Sequence, residues 1–488
     1  MSPAAGPCGR PKEDPSLSRL SLHPDRLFPP GETERAVARR LYAQVKDLPI
    51  VSPHGHTDPA WFAQNERFDN PAALLIIPDH YIFRMLHSQG VALEALGVPA
   101  LDGAAIETDP RKIWRLFAEH YHLFRGAPTR MWLDWVFAEV FRIEETLTPA
   151  SADRYYDRID DCLARDDFRP RALFEQFNIE FLATTESPID ALDHHRTIQK
   201  SGWKGRVVTT YRPDPVVDPE FEGFADNVRL FGELTGENAE TWRGYLNAHR
   251  TRREFFKSMG ATATDHGHPT ALTAALTESE AASLFAKALA GRATAQEAEL
   301  FRAHMLTEMA RMSRDDELVM QIHPGSHRNH SAQLFARFGR DKGADIPTRT
   351  DYVSALKPLL DAFGCDPSMA IIVFTLDESS YARELAPLAG VYPALKLGPA
   401  WWFHDSPEGM RRFRQQTTET AGFYNTVGFN DDTRAFLSIP ARHDVARRMD
   451  CAYLAQLVAD HRLGEDEAAE VAVDLAYKLV KKAYRLEV

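Results

Sequence analysis

The chain has 488 residues, 44% hydrophobic and 26% charged, with 57 basic against 70 acidic side chains for a formal charge of −13. That composition supports a large globular core, and the negative charge excludes a nucleic-acid partner, which needs a clustered Lys/Arg face to displace counterions. Cys8, Cys162, Cys365 and Cys451 stand far apart without a CxxC pair, which excludes a disulfide framework and a thiolate zinc site.

Residues 1–25 read as a loose N-terminal tail, with Pro and charge where a signal peptide would need an apolar run. No apolar stretch approaches the ~18 residues of a membrane span, so a cytoplasmic protein without membrane contact is expected. Val37, Ala38, Leu41, Tyr42 and Val45 recur at helical spacing and predict a helix over Glu32–Lys46. The run Leu48–His56 (LPIVSPHGH) then reads as a strand that stops on histidines.

From residue 57 to residue 170 the pattern is helical, with aromatic-rich segments at Asp109–Tyr121 and Trp132–Ile143. Thereafter short apolar or β-branched runs recur at Ile179–Ser187, Arg206–Asp214, Ala261–Gly267, Leu318–Gly325, Ala370–Leu376 and Tyr392–Phe403, with a weaker eighth at Thr426–Asp432. Helical patterns separate them, over Ile189–Lys200, Thr241–Ser258, Ala295–Arg311, Arg349–Phe363, Tyr381–Leu388 and Pro407–Ala421. Strands alternating with helices predict a parallel sheet, and eight of them an α/β fold of the (β/α)8 TIM-type barrel class. The barrel is expected over residues 26–56 and 171–488, with residues 57–170 a helical insertion after the first barrel strand. Two C-terminal closing helices follow at Arg442–Leu457 and Glu465–Leu486. GxGxxG, GxxxxGK and GxSxG are all missing, so no nucleotide or flavin cofactor is expected.

In a barrel the strand ends converge on one face. His54 and His56 alternate around Gly55, so a strand presents both imidazoles on one side, where they can share a divalent ion, most plausibly zinc. The eighth strand closes beside the first and brings Asp431 and Asp432 to that pair; either aspartate can complete three ligands with positions open for substrate, and the other is a cap or turn residue. Arg212, Asp265-His266, His323, Trp401-Trp402 and Arg434 end or follow strands on the same face. Metal, arginines and indoles together suit a small anionic substrate, since arginine takes carboxylates bidentately. His194-His195, His120 and His122 read as structural or surface residues.

The motifs PHGH, Pro78–Arg84 (PDHYIFR), TTYRPD, DHG, QIHPGSHRN, GPAWWF and GFNDDTRAFLS, in this order, resemble the uronate (glucuronate) isomerases of the amidohydrolase superfamily. The resemblance runs from about Leu48 to the C-terminus. It implies that His54, His56 and Asp432 bind one zinc-like ion. It implies that His80, Tyr81, Arg212, His323, Arg328, Trp402 and Arg434 contact a hexuronate. The implied reaction is reversible aldose–ketose isomerisation, D-glucuronate to D-fructuronate and D-galacturonate to D-tagaturonate, through a cis-enediol. In that chemistry Asp432 is the candidate base, Tyr81 the candidate hydroxyl-proton shuttle, and Arg212 and Arg434 the oxyanion partners. A zinc-dependent hydrolase or deaminase of the same superfamily is the alternative, against which counts the lack of histidine in AIIVFTL. A non-catalytic sugar-acid binder is a third class. With the ion, Arg212, Arg328 and Arg434 are expected to make the site mouth locally positive. The sequence leaves self-association open.

Overall fold

The computed structural model describes residues 19–486; residues 1–18 of the expected tail lie outside the described residues. From Arg19 onward the chain is held. Arg19 forms a β-bridge with Glu145, Leu20 is buried, and Arg39 donates to the Asp25 carboxylate at 2.6 Å.

Seven of the eight expected runs form strands, all paired in parallel. β1 (Ile50–Ser52), β2 (Ile179–Ala183) and β3 (Val207–Val208) make one sheet in that order. β4 (Ala263–His266) and β5 (Val319–Ile322) begin a second sheet. After β5 comes a short antiparallel hairpin, β6 (Ser326–His327) with β7 (Ile346–Pro347), which the sequence did not suggest. β8 (Ile371–Val373) and β9 (Leu395–Leu397) complete the second sheet in the order β4-β5-β8-β9. The strands are short and covered on both sides, which is why they read as continuous apolar runs rather than alternating ones.

Isolated parallel bridges extend these sheets. Tyr211 with Thr264 joins the end of β3 to β4, and Leu397 with Thr426 continues past β9. The eighth expected strand is reduced to that one bridge. Its continuation is broken at Gly428, whose φ of +79° is left-handed and where an added Cβ would lie 2.5 Å from Val480.

Between β1 and β2 the described chain forms helices only, from Pro59–Gln64 to Pro170–Gln176. Other helices fall close to their expected places, among them Glu32–Val45, Trp242–Ser258, Pro407–Ala421 and Ile439–Ala459, while the one expected over Arg349–Phe363 begins only at Lys357. Ala295–Asp316 starts at a capping box in which Thr294 and Glu297 satisfy each other's backbone N–H groups. One apolar cluster takes Val51, Phe181, Ala263, Val319, Ile372 and Val427 from segments of both sheets, and Val480, Tyr484 and Leu486 from the chain's end. Among the described residues no helix is long and apolar enough to cross a membrane.

Candidate active site

β1 delivers the first two groups. Beyond Ser52 the chain runs Pro53-His54-Gly55-His56, and it is tied laterally on both sides. The His56 N–H donates to the Thr433 carbonyl at 3.0 Å, and the Thr185 hydroxyl donates to the Gly55 carbonyl at 2.9 Å. A Cβ on Gly55 would lie 3.4 Å from the Thr433 oxygen, so a small residue lets the two segments approach. Through this contact Asp432 reaches both imidazoles: its Oδ1 lies 3.4 Å from His54 Nε2 and 3.2 Å from His56 Nε2.

Asp431 faces the other way and accepts a hydrogen bond from His443 at 3.0 Å. The pair of aspartates is thus divided, one toward the histidines and one into the packing behind. Asp432 has a φ of +39°, a left-handed conformation that costs a non-glycine residue of order 1 kcal/mol and is held by its surroundings. Burial opposes ionisation of Asp432, but His54 and His56 outweigh it and hold its carboxyl well below the ordinary range.

The donor set fits a divalent ion. Two imidazoles and one carboxylate offer ligand atoms within 4.8 Å of one another, the nitrogen and oxygen donors that a borderline cation takes. His54, Asp265 and His323 form a second such group. There the charge is already met: Asp265 accepts from His323 Nδ1 at 2.6 Å and from Arg212 at 2.9 Å. Burial raises the Asp265 pKa, and Arg212 and His323 more than reverse that, holding it well below the usual carboxylate value. The His323 ring stacks on His54 at 4.7 Å and on Phe374 at 3.9 Å, leaving its buried Nε2 without a partner.

All ten side chains singled out for the site line one cavity of about 740 Å³. His80 and Tyr81 enter on a helix, His80–His87, whose N-cap Asp79 accepts from the Tyr81 N–H at 2.9 Å. Both His80 ring nitrogens are buried without partners, and burial, reinforced by Arg434, pushes its pKa down to about 3, so the ring stays neutral. Tyr81 stacks on His80 at 4.6 Å, and burial raises its phenol. Trp402, at a left-handed φ of +51°, carries the Arg328 guanidinium 5.0 Å from its ring centre. Arg328 is brought there by the β6–β7 hairpin.

The arginines are less free than their number suggests. Arg212 is tied to Asp214 at 2.8 Å and to Asp265, and Arg328 to Asp345 at 3.3 Å. The Arg434 guanidinium forms no ion pair or hydrogen bond with any described residue. Two of the three arginines expected to charge this mouth are therefore matched by the protein's own carboxylates, and among the described residues Arg434 is left without such a contact, as is Arg340 on the same cavity wall.

Several groups in or beside the cavity carry no assigned role in the sequence reading. Asp265 was legible in DHG, but a period of two sends Asp265 and His266 to opposite faces: His266 Nε2 lies 3.0 Å from the Thr264 hydroxyl, away from His323. Asp79 and Asp341 line the cavity from a cap and a loop; Asp79 stands in the PDHYIFR motif without a role assigned to it there, and no quoted motif contains Asp341. Glu186, at the end of β2, is lifted to about 7 by burial. His195 is a structural residue, as expected, buried against the Thr184 hydroxyl at 2.9 Å.

Comparison with known proteins fits this geometry. A family model described as glucuronate isomerase matches residues 32–484. The uronate isomerase of Rhizorhabdus wittichii is 68% identical over 467 residues, 96% of this chain and 99% of the relative. The crystal structure of glucuronate isomerase from Caulobacter crescentus superposes with a TM-score of 0.95 at 62% identity, covering 96% of this chain and 98% of that one. That of uronate isomerase from Thermotoga maritima does so at 0.88 and 27% identity, covering 94% and 98%.

Proposed function

The chain belongs to the glucuronate isomerase family, aldose–ketose isomerases of hexuronates, and we propose that it moves its substrate's carbonyl between C1 and C2 by one proton transfer through a cis-enediol. The substrates are D-glucuronate, giving D-fructuronate, and D-galacturonate, giving D-tagaturonate. The observation that carries this reading is the meeting of His54, His56 and Asp432 in the same cavity as Tyr81 and Arg434.

His54, His56 and Asp432 would hold one divalent ion, zinc by the donor set, which when bound supplies orientation and charge neutralisation for the substrate carboxylate and a neighbouring hydroxyl. Asp432 removes the C2 proton and returns it to C1. Its Oδ1 faces the histidines, while Oδ2 forms no hydrogen bond with a described residue and is available for the proton. Tyr81, raised by burial and so a phenol at neutral pH, carries the hydroxyl proton between O1 and O2. Arg434 and Arg212 stabilise the oxygen that gains charge in the enediolate. His80, His323, Arg328 and Trp402 orient the sugar acid. One proton leaves C2 and one arrives at C1, so the reaction balances without a redox cofactor.

The two sheets support a single (β/α)8 barrel over residues 26–56 and 171–488, with residues 57–170 inserted as a helical domain. Bridges at Tyr211–Thr264 and Leu397–Thr426, with the His56–Thr433 hydrogen bond, carry the pairing from β1 around to β1 again. Such a barrel explains why the cavity groups come from so many strand ends. A cytoplasmic location agrees with the unpaired Cys162, Cys365 and Cys451.

Incubation of the zinc-loaded protein with glucuronate in heavy water tests the reading. The expected result is a ketose carrying up to one deuterium at C1. Absence of ketose overturns the isomerase assignment, and ketose that never acquires deuterium points to hydride rather than proton transfer.

A further inference from the structure

The end of the described chain sits under the site. The helix Leu479–Ala483 leads to Tyr484, which is fully buried, and then to Arg485 at a left-handed φ of +55°. That turn lets Arg485 donate to the carbonyls of Glu317 and Ser368, while Lys481 pairs with Glu180 on β2 at 2.8 Å. The helix presses on the chain at Gly428, where only a glycine leaves room for Val480. The final turn is thus pinned at three places and drives one phenol into the apolar cluster shared by both sheets.

A buried hydroxyl costs about 1–3 kcal/mol when it has no partner. This one has two. Tyr484 donates to Gln321 Oε1 at 2.7 Å and accepts from Asn430 Nδ2 at 2.7 Å. Gln321 in turn donates to the Thr264 carbonyl at 3.3 Å. Each of these residues stands one or two positions before a group of the site. Gln321 stands two before His323, Asn430 two before Asp432, and Thr264 one before Asp265. Gln321 and His323 lie two apart at the end of β5, and Asn430 lies two before the left-handed turn at Asp432, so one phenolic oxygen links the segments that present His323 and Asp432.

We propose that Tyr484 is a positioning residue: its hydroxyl sets the separation between the β5 end bearing His323 and the segment bearing Asp432. It never touches substrate. The inference rests on the functional reading above, in which Asp432 is both ligand and base. Groups hydrogen-bonded directly to ligands change metal affinity or activity by ~10–100-fold when lost, and Tyr484, which acts one step further back through Gln321 and Asn430, belongs at the low end of that range.

The test uses the full-length enzyme with Tyr484→Phe, which deletes one oxygen and keeps the ring. Zinc affinity is measured by competition with a chromogenic chelator, and kcat and KM for glucuronate at saturating zinc. Both zinc affinity and kcat are expected to fall about tenfold, with KM nearly unchanged. A variant that melts earlier but matches wild type in zinc affinity and kcat shows a merely structural hydroxyl and overturns the proposal. Should Tyr484→Phe fail to fold, Gln321→Met is judged by the same readouts and the same criteria. Wild type that holds no zinc refutes the functional reading and this inference with it; wild type that holds zinc, beside a variant equal to it in both, refutes the inference alone.

Discussion

At Asp432 two demands fall on one carboxylate. One oxygen faces His54 and His56, so in the proposed mechanism ligation and proton transfer use different atoms of one group. The left-handed backbone at Asp432 places strain at the residue proposed to carry the chemistry, and functional sites are where such strain is commonly retained. His54 is the more buried imidazole, 1% exposed against 30% for His56, so its removal opens the shared ligand group from inside. His54→Ala is expected to lower zinc affinity at least tenfold, read by equilibrium dialysis; full stoichiometric zinc in that variant contradicts its ligand role. At this scale much was legible. A His-x-His at a strand end shows its geometry through the period of two, and the pair Asp431-Asp432 through its proximity to β1, the choice between the two aspartates coming only from the family resemblance. Asp341 was not, because a loop aspartate acquires its place only from the tertiary fold, and Asp79, though inside the PDHYIFR motif, showed neither its capping role nor its place in the cavity.

At the scale of elements, burial on both faces made the parallel strands visible as apolar runs. The same burial hid where pairing stops: Thr426–Asp432 carries one bridge because Gly428 turns the chain beneath the C-terminal helix. The β6–β7 hairpin had no turn signature of its own, so its role in carrying Arg328 emerged only from the structure. The helix Asp193–Lys200 supplies a prediction that needs no substrate. Burial depresses the His195 pKa to about 4, from an ordinary 6.5. The unfolded chain therefore binds a proton between those values that the folded chain refuses. The stability contributed by neutral His195 is complete above pH 6.5 and is lost as the pH falls toward 4. Urea unfolding between pH 7 and 4.5 should show a shallower decline for His195→Gln than for wild type, by up to ~1.4 kcal/mol per pH unit. Parallel curves for the two proteins contradict it.

For the whole molecule, a formal charge of −13 and an anionic substrate seem opposed. The opposition is local. Arg212 and Arg328 already hold carboxylates of the protein, so they orient the cavity more than they attract into it. In the proposed mechanism Arg434 and a bound divalent ion receive the substrate's carboxylate and developing oxyanion. Global charge was informative about polyanionic partners and silent about this site. The central claim is that Asp432 moves the proton between C2 and C1, and it is tested most directly with zinc-loaded Asp432→Asn and glucuronate in heavy water, followed by NMR. Proton transfer by a positioned group contributes ~10²–10⁴-fold. The account predicts that substrate still binds while ketose formation and deuterium uptake at C2 both fall at least a hundredfold. Turnover and exchange near the wild-type rate in that variant would contradict it.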